Sequence, residues 1–404
     1  MPSSVIVVGA GVAGFTAARA VRGLDSDVPI EIYTREPYHY YYRPRLPDLV
    51  GGEVEPEDII AFPDDWYRER RIDVRLEEPV ASVLPDDRKI VLEGGRKVGY
   101  GSLLIATGAD PFVPPIEGST LDGVFVLRTM RDALSIRERA SVSGRAVVIG
   151  GGLLGLESGR GLQRQGLSVT VLETADWLLP RQLDRQAASI LLGDVRDLGM
   201  SVRTGVQVEK IGGDGSVSCV SLADGTDLPC DMVLVSTGVR STVGFLEGSG
   251  LEVDRGVVVD AGMRSSASGV FAAGDVAQFA GMRGGNIPVA ISQAEAAAVG
   301  LAGDARGGEA GAVSYNTLKI VGIDVFSAGE IACSGDECRE HVYSDEQNSI
   351  YRKVIVRAGT IVGAMVVGSR RGVTALNSLV QEAADVEAWG EAIAREDFDF
   401  GKTQ

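Results

Sequence analysis

The sequence predicts an α/β fold built from two copies of a strand, a glycine-rich turn and a helix, followed by a small C-terminal α+β domain. Three observations carry that expectation. The apolar run Val5-Ile6-Val7-Val8 passes at once into Gly9-Ala10-Gly11-Val12-Ala13-Gly14 and then a helical stretch. The same order returns at residues 146–149, followed by Gly150-Gly151-Gly152-Leu153-Leu154-Gly155. Beyond about residue 313 the pattern changes to paired apolar runs and one last helix. At 404 residues the chain has room for two or three domains.

Each element follows from local composition. Residues 5–8 are β-branched throughout, as expected of a strand buried on both faces. A helix is expected over 13–21, closed by Gly23, and a strand over 30–33. Residues 38–47, Tyr-His-Tyr-Tyr-Tyr-Arg-Pro-Arg-Leu-Pro, read as a loop. A helix near 64–71 and strands at 72–75, 80–84, 89–92 and 103–106 complete the first stretch. Pro111, Pro114 and Pro115 then mark a domain crossing.

In the second copy the strand at 146–149 leads to a helix ending near Gln165 and a strand at 169–172. Strands over 202–208, 217–222 and 232–235 follow, and a helix over 289–300 comes after Pro288. The C-terminal part reads as a hairpin, 353–357 with 360–367, turning over Ala358-Gly359. A helix over 372–388 and a frayed acidic tail at 396–400 end the chain.

Composition removes several function classes. A net charge of -17 opposes a nucleic-acid surface, which requires a basic face. The cluster Arg68, Arg70, Arg71 and Arg75 is interrupted by acids and reads as a solvated helix face. The two histidines, His39 and His341, lie far apart without clustered cysteines, so a catalytic zinc site is not expected. Neither accompanies a Gly-x-Ser-x-Gly elbow, which sets aside a Ser-His-Asp hydrolase. No apolar run reaches the roughly 18–20 residues of a membrane span, and residues 1–4 leave no room for a signal peptide. A cytoplasmic protein is the expectation.

The glycines must be weighed against chance. With 53 glycines in 404 residues, chance alone yields roughly 0.9 Gly-x-Gly-x-x-Gly matches. Two occur, Gly9/Gly11/Gly14 and Gly150/Gly152/Gly155, and each follows an apolar strand and opens a helix. The first glycine permits the tight turn, the second lets backbone approach a pyrophosphate, and the third lets helix pack on strand. The helix N–H groups then hold negative charge. Acids lie at the ribose distance, Glu36 at 22 residues past Gly14 and Glu173 at 18 past Gly155. Thr34 and Arg35 compete with Glu36 for that place. A carboxylate at Glu173 accepts from a free 2′-hydroxyl and repels a 2′-phosphate, and Thr174-Ala175-Asp176 supply no cation, so NADH is expected over NADPH.

Ala106-Thr107-Gly108 ends one strand, Thr237-Gly238 ends another, and Gly274-Asp275 follows the run Val270–Ala273. On these motifs and both glycine turns the chain resembles the FAD-dependent pyridine nucleotide-disulfide oxidoreductases, with their two Rossmann-like domains of glutathione-reductase type. The resemblance covers nearly the whole chain. Tyr42-Arg43-Pro44-Arg45-Leu46, residues 150–157 and residues 321–329 look most like the NADH:rubredoxin reductases and the flavin half of assimilatory nitrite reductases.

The resemblance implies a discontinuous FAD domain (1–115 and 240–312), an NAD domain (116–239) and a C-terminal α+β domain (313–404). It implies FAD contacts from Gly9, Gly11, Gly14, Glu36, Arg43, Pro44, Ala106, Thr107, Gly108, Gly274, Asp275 and Gln293. For NAD it implies Gly150, Gly152, Leu153, Leu154, Gly155, Glu157, Glu173, Thr237 and Gly238, with Glu157 facing the nicotinamide. The start of the 289–300 helix points, by resemblance, at the flavin's pyrimidine ring, where its free N–H groups stabilise negative charge.

Disulfide-reducing relatives carry cysteines in the first domain, whereas residues 38–47 hold none. Cys333 and Cys338 read as a surface loop pair rather than a redox centre. The implied activity is hydride transfer from NADH to FAD, then single electrons to a small iron–sulfur carrier of rubredoxin or ferredoxin type. An NADH oxidase, an electron-feeding subunit of a larger reductase, and a non-catalytic NADH sensor remain as alternatives. Since rubredoxins are generally acidic, docking needs a local basic patch, with Arg370-Arg371 or Arg68–Arg75 as candidates. The oligomeric state, monomer or homodimer, is left open.

Overall fold

A computed structural model describes residues 4–283, 286–304, 308, 315–320 and 322–401. The chain divides into two compact units. One comprises Met1–Tyr42, Glu57–Asp110 and Val239–Ala312, the other Arg43–Pro56, Pro111–Gly238 and Val313–Gln404.

In the first unit Val5–Val8 is the central strand of a five-stranded parallel sheet. The order is Ile72–Arg75, Ile30–Tyr33, Val5–Val8, Ser102–Ile105, Val270–Ala272, so the connections diverge from the central strand to either side. None of its four side chains exceeds 4% exposure, since the strand lies in one core that also takes in Ala17, Ala294, Val83, Ile90 and Leu92. The helices Val12–Leu24 and Ile287–Leu301 pack on each other, and both bring small residues into the core, Ala13, Ala17, Ala290 and Ala294 among them. A three-stranded antiparallel sheet, Val80–Leu84, Lys89–Leu92 and Lys97–Gly99, is appended.

The second unit repeats the scheme around Arg145–Ile149. Its sheet runs Ser201–Arg203, Ser168–Leu172, Arg145–Ile149, Met232–Val235, Val124–Phe125, again parallel throughout. Two helices not anticipated from sequence flank it, Met130–Ala140 and Arg185–Asp197. Thr129 and Asp132 form a capping box on the first, and Asp184 caps the second by accepting from the Ala187 N–H.

The same unit carries an antiparallel sheet in the order Tyr315–Ile320, Ile323–Gly329, Thr360–Val367, Ile350–Arg357, Cys338–Asp345. The expected hairpin is present, and Ala358 and Gly359 both take positive φ, 48° and 78°. Two successive left-handed residues make the mirror-image turn that matches strand twist. The helix Val373–Gln381 packs on this sheet.

Three expectations are corrected. Residues 202–208 are not one strand: the parallel strand stops at Arg203, Gly205 turns at φ 67°, and Val208–Asp214 then pairs antiparallel with Ser216–Leu222. The last helix ends at Gln381 rather than 388, because Ala383 adopts φ 48° and Asp385 bridges to Thr360. The acidic tail is docked rather than frayed. Phe400 is 4% exposed, stacks edge-on with Phe398, and lies 5.0 Å from the Arg352 guanidinium, whose Nη2 donates to the Ile393 carbonyl at 3.1 Å.

Candidate functional site

Each parallel sheet places a glycine turn at the carboxyl end of its central strand, where the strand order diverges and open α/β sheets bind ligands. In the first unit Gly9 adopts φ 109°, and its N–H donates to the Tyr33 carbonyl at 2.8 Å. A β-carbon at Gly9 would stand 2.3 Å from the Ala106 carbonyl oxygen, and one at Gly14 would stand 1.9 Å from the Gly9 carbonyl oxygen. Gly11 differs. A β-carbon there would meet nothing within 4 Å.

The second unit reproduces this arrangement. Gly150 adopts φ 117° and donates to the Leu172 carbonyl at 2.8 Å. β-Carbons at Gly150 and Gly155 would lie 2.2 Å from the Ser236 carbonyl oxygen and 2.0 Å from that of Gly150, while at Gly152 nothing lies within 4 Å. So the outer glycines of each triplet are demanded by the protein's own packing, and the middle one faces open space. Protein contacts do not account for a bare backbone there.

The helix starts point the same way. Gly11 and Gly152 are the N-caps of Val12–Leu24 and Leu153–Arg164, with near-identical backbone angles and no side-chain cap. By contrast, Met130–Ala140, Arg185–Asp197 and Ile287–Leu301 are each capped by a side-chain oxygen. First-turn N–H groups without a capping side chain, beside a bare glycine, form an anion-binding backbone. Both turns therefore fit the diphosphate of a dinucleotide.

The Thr-Gly pairs make a second duplicated feature. The Thr107 hydroxyl donates to the Thr242 carbonyl at 3.0 Å, and the Thr242 N–H donates to the Gly108 carbonyl at 3.0 Å. In the other unit the Thr237 hydroxyl donates to the Phe112 carbonyl at 2.6 Å, and the Phe112 N–H to the Gly238 carbonyl at 2.9 Å. Gly108 and Gly238 both take positive φ, 71° and 106°, which only glycine adopts without strain. Each clasp fixes the backbone that abuts the neighbouring glycine turn.

Gly274, at φ 83°, lies between the two packed helices of the first unit, where a β-carbon would meet that of Ala13 at 3.0 Å. Its N–H donates to Gln293 Oε1 at 2.8 Å, and Gln293 is buried. Ser241 Oγ donates to the Asp275 carbonyl at 2.7 Å. Gln293 thus holds the turn that presents Asp275. Ser241, Thr242 and Phe112 were not legible as partners, since nothing near them in sequence marks the pairing.

The two acids sit differently. Glu173 Oε2 accepts from the Gly151 N–H at 2.9 Å and Oε1 from the Ala175 N–H at 2.8 Å, so its carboxylate is fixed beside the glycine turn. Gly151 is closely packed as well: a β-carbon would lie 2.7 Å from Leu178 Cδ2 and 3.0 Å from Glu173 Cβ, so either side chain would have to shift to admit one. Glu36 Oε2 accepts from the buried Tyr41 hydroxyl at 2.5 Å. Of its competitors, Thr34 Oγ1 accepts from the Glu36 N–H at 3.2 Å, and Arg35 pairs with Asp110. Arg43 and Pro44 begin a single helical turn, Arg43–Arg45. Leu153, Leu154 and Glu157 fall in the first turns of the second dinucleotide helix, with Glu157 half-buried.

Neither candidate docking patch is a free run of cations. Arg68, Arg70, Arg71 and Arg75 pair with Asp65, Glu69, Asp27 and Asp73, and Arg370 pairs with Asp324 at 2.7 Å. Cys333 and Cys338 form a disulfide, while Cys219 and Cys230 are free. Among the described residues there is no group of His, Cys, Asp and Glu that could hold a metal, and no helix long and apolar enough to cross a membrane.

Residues 3–297 match the pyridine nucleotide-disulphide oxidoreductase family, and residues 315–384 match the rubredoxin NAD+ reductase C-terminal domain. The NAD(P)H nitrite reductase of Bacillus subtilis is 33% identical over 383 residues, which is 95% of this chain and 48% of that protein, so the chain spans about half its length. The NADH-rubredoxin oxidoreductase of Clostridium acetobutylicum is 30% identical over 367 residues, 91% of both proteins. A crystal structure of a ferredoxin reductase from Rhodopseudomonas palustris superposes with a TM-score of 0.91 at 26% identity, covering 99% of each chain.

Proposed function

This chain belongs to the pyridine nucleotide-disulphide oxidoreductase family, and from that premise we propose that it oxidises NADH through bound FAD and reduces a small iron–sulfur carrier of rubredoxin or ferredoxin type. The observation that carries the reading is the duplicated glycine turn, whose middle glycine faces open space in both copies. Two anion-binding backbones in one chain call for two dinucleotides.

On this reading residues 1–115 and 240–312 form the FAD domain, 116–239 the NAD domain and 313–404 the C-terminal domain. Gly9, Gly11 and Gly14 hold the FAD diphosphate, and Glu36 serves its ribose end. Ala106, Thr107 and Gly108 back the turn, Gln293 positions Gly274 and Asp275 for the ribityl region, and Arg43 and Pro44 lie against the flavin. Gly150, Gly152, Leu153, Leu154 and Gly155 hold the NADH diphosphate, backed by Thr237 and Gly238. Glu173 takes the ribose diol, which selects NADH over NADPH, and Glu157 lies toward the nicotinamide.

When bound, FAD supplies what the side chains lack, a group that accepts a hydride and gives up electrons singly. The chain's own contribution is to bind, orient and supply electrostatics, which requires no histidine cluster. No dithiol beside the flavin takes part, since residues 38–47 contain no cysteine. The cytoplasm, where NADH is available, is the compartment this reading assigns.

The partner is supported by the match to the rubredoxin reductase C-terminal domain and by the Clostridium relative, whose name pairs NADH with rubredoxin. A second reading, an electron-feeding part of a larger reductase, is favoured by the nitrite reductase of which this chain covers about half. Anaerobic rapid mixing of the NADH-reduced protein with rubredoxin, ferredoxin and oxygen separates them. Fast reoxidation by one iron–sulfur carrier supports the proposal. Reoxidation fastest with oxygen makes the protein an oxidase, and slow reoxidation by all three leaves the larger reductase.

A further inference from the structure

Lys353 lies in the C-terminal sheet, on Ile350–Arg357, yet its side chain is only 4% exposed. Its ammonium sits 2.9 Å from Asp184 Oδ2 and 3.0 Å from Glu340 Oε1. Tyr351, two residues earlier on the same strand, donates its hydroxyl to the same Asp184 Oδ2 at 2.7 Å. The other Asp184 oxygen, Oδ1, accepts the Ala187 N–H at 2.9 Å and so caps the helix Arg185–Asp197. Burial works against a charge on Asp184, but the Ala187 N–H, the ammonium and the tyrosine hydroxyl outweigh it and hold the carboxyl below its ordinary range. All these residues belong to the same compact unit.

Asp184 also closes the loop that opens with Glu173. Along that loop Leu178, Leu179 and Leu183 are buried. The Trp177 indole N–H donates to the Leu183 carbonyl at 3.1 Å, and Leu179 is held at φ 55°. Leu178 packs where a β-carbon of Gly151 would be, and Gly151 donates its N–H to Glu173. The loop is therefore fixed at one end by the carboxylate that faces the nucleotide turn and at the other by a lysine from the C-terminal sheet.

We propose that Lys353 is a positioning residue for nucleotide binding: by holding Asp184 it sets the 174–183 loop, and with it the seat of Glu173. The inference rests on the assignment of NADH to the second glycine turn. A buried lysine flanked by two carboxylates is weak evidence for stability in itself, because desolvation offsets the attraction. Its geometric consequence is the stronger claim. Without the ammonium, two half-buried carboxylates are left close together with no cation between them, and Asp184 keeps only the Tyr351 hydroxyl and the Ala187 N–H.

The test uses the FAD-loaded full chain and equilibrium binding of NAD+, which turns nothing over, followed by calorimetry. Lys353→Met is expected to weaken NAD+ binding at least about fivefold, with FAD content and the limiting rate of flavin reduction unchanged. Lys353→Arg, which keeps the charge, is expected to return binding to within about twofold of wild type. If folded Lys353→Met binds NAD+ as tightly as wild type, the inference is overturned. If Lys353→Met does not fold, Asp184→Asn decides, since it keeps the Oδ1 that caps the helix and removes the charged oxygen that the ammonium holds: weaker binding supports the proposal and unchanged binding overturns it. A wild-type protein that binds no NAD+ overturns the functional reading first, so the two failures are distinct.

Discussion

Gly14 approaches Gly9 so closely that a β-carbon on it would stand 1.9 Å from the Gly9 carbonyl oxygen, while Gly11 between them meets nothing within 4 Å. Substitution should therefore separate packing from binding. Gly14→Ala drives backbone against backbone and is expected to cost about 3 kcal/mol or more, given how poorly packed interiors accept added volume. Gly11→Ala touches no protein atom and is expected to change stability by no more than about 1 kcal/mol, the usual scale for a helix N-cap, while reducing FAD retention. Thermal melts of the apoproteins and FAD content after gel filtration check both. A Gly11→Ala protein that keeps its full FAD complement contradicts the diphosphate assignment.

Glu173 is held by two backbone N–H groups before any nucleotide arrives. Removing it with Glu173→Ala deletes a charged acceptor, a loss of about 1.5–3 kcal/mol, or roughly ten- to a hundredfold in NADH affinity. NADPH affinity should fall far less, because the carboxylate's repulsion of a 2′-phosphate goes as well. Comparing dissociation constants for the two nucleotides in wild type and variant measures the shift. An unchanged preference places the ribose elsewhere.

Gln293 answers the buried Gly274 N–H at 2.8 Å. Gln293→Leu keeps the bulk and removes the acceptor, leaving a buried donor unmet at a cost of about 1–3 kcal/mol. Faster FAD loss and a shifted visible spectrum are expected together, since the same turn presents Asp275. If FAD dissociates at the wild-type rate, Gln293 serves only the helix packing.

The cysteines should divide by reactivity. Burial pushes the Cys230 thiol up to about 12, so it has almost no thiolate at neutral pH. Native protein treated with iodoacetamide should leave Cys230 unlabelled, and a reductant should expose Cys333 and Cys338 to labelling. Because their bond closes a short loop, chain-entropy reasoning gives it about 2 kcal/mol. Reduction should lower the melting temperature by a few degrees without altering reduction by NADH. Loss of that reduction on opening the disulfide would put the pair in the electron path.

Much of the site was legible because its signals are local. A β-branched strand, a glycine triplet and a helix occupy consecutive residues, and the structure places both triplets at sheet ends with the same clashes and the same bare middle glycine. The division of labour within each triplet was not legible, since it depends on carbonyls at Ala106 and Ser236 brought in by distant strands. The Asp184–Lys353 contact spans a gap in sequence that no periodicity reports, and a lysine inside Ile350–Arg357 reads as a solvated position until the facing acids are seen. The docked tail was missed for a similar reason. Its acidic residues signal fraying, whereas Phe398 and Phe400 find an aromatic partner in Trp389 only once the chain has folded back.

The most direct test of two dinucleotide sites working together is the visible absorbance of the purified, FAD-reconstituted protein under argon, before and after one equivalent of NADH. The account predicts a yellow protein whose flavin band bleaches on addition, with much less bleaching by the same amount of NADPH at limiting concentration. A protein that takes up no flavin, or one that stays yellow with NADH, contradicts it.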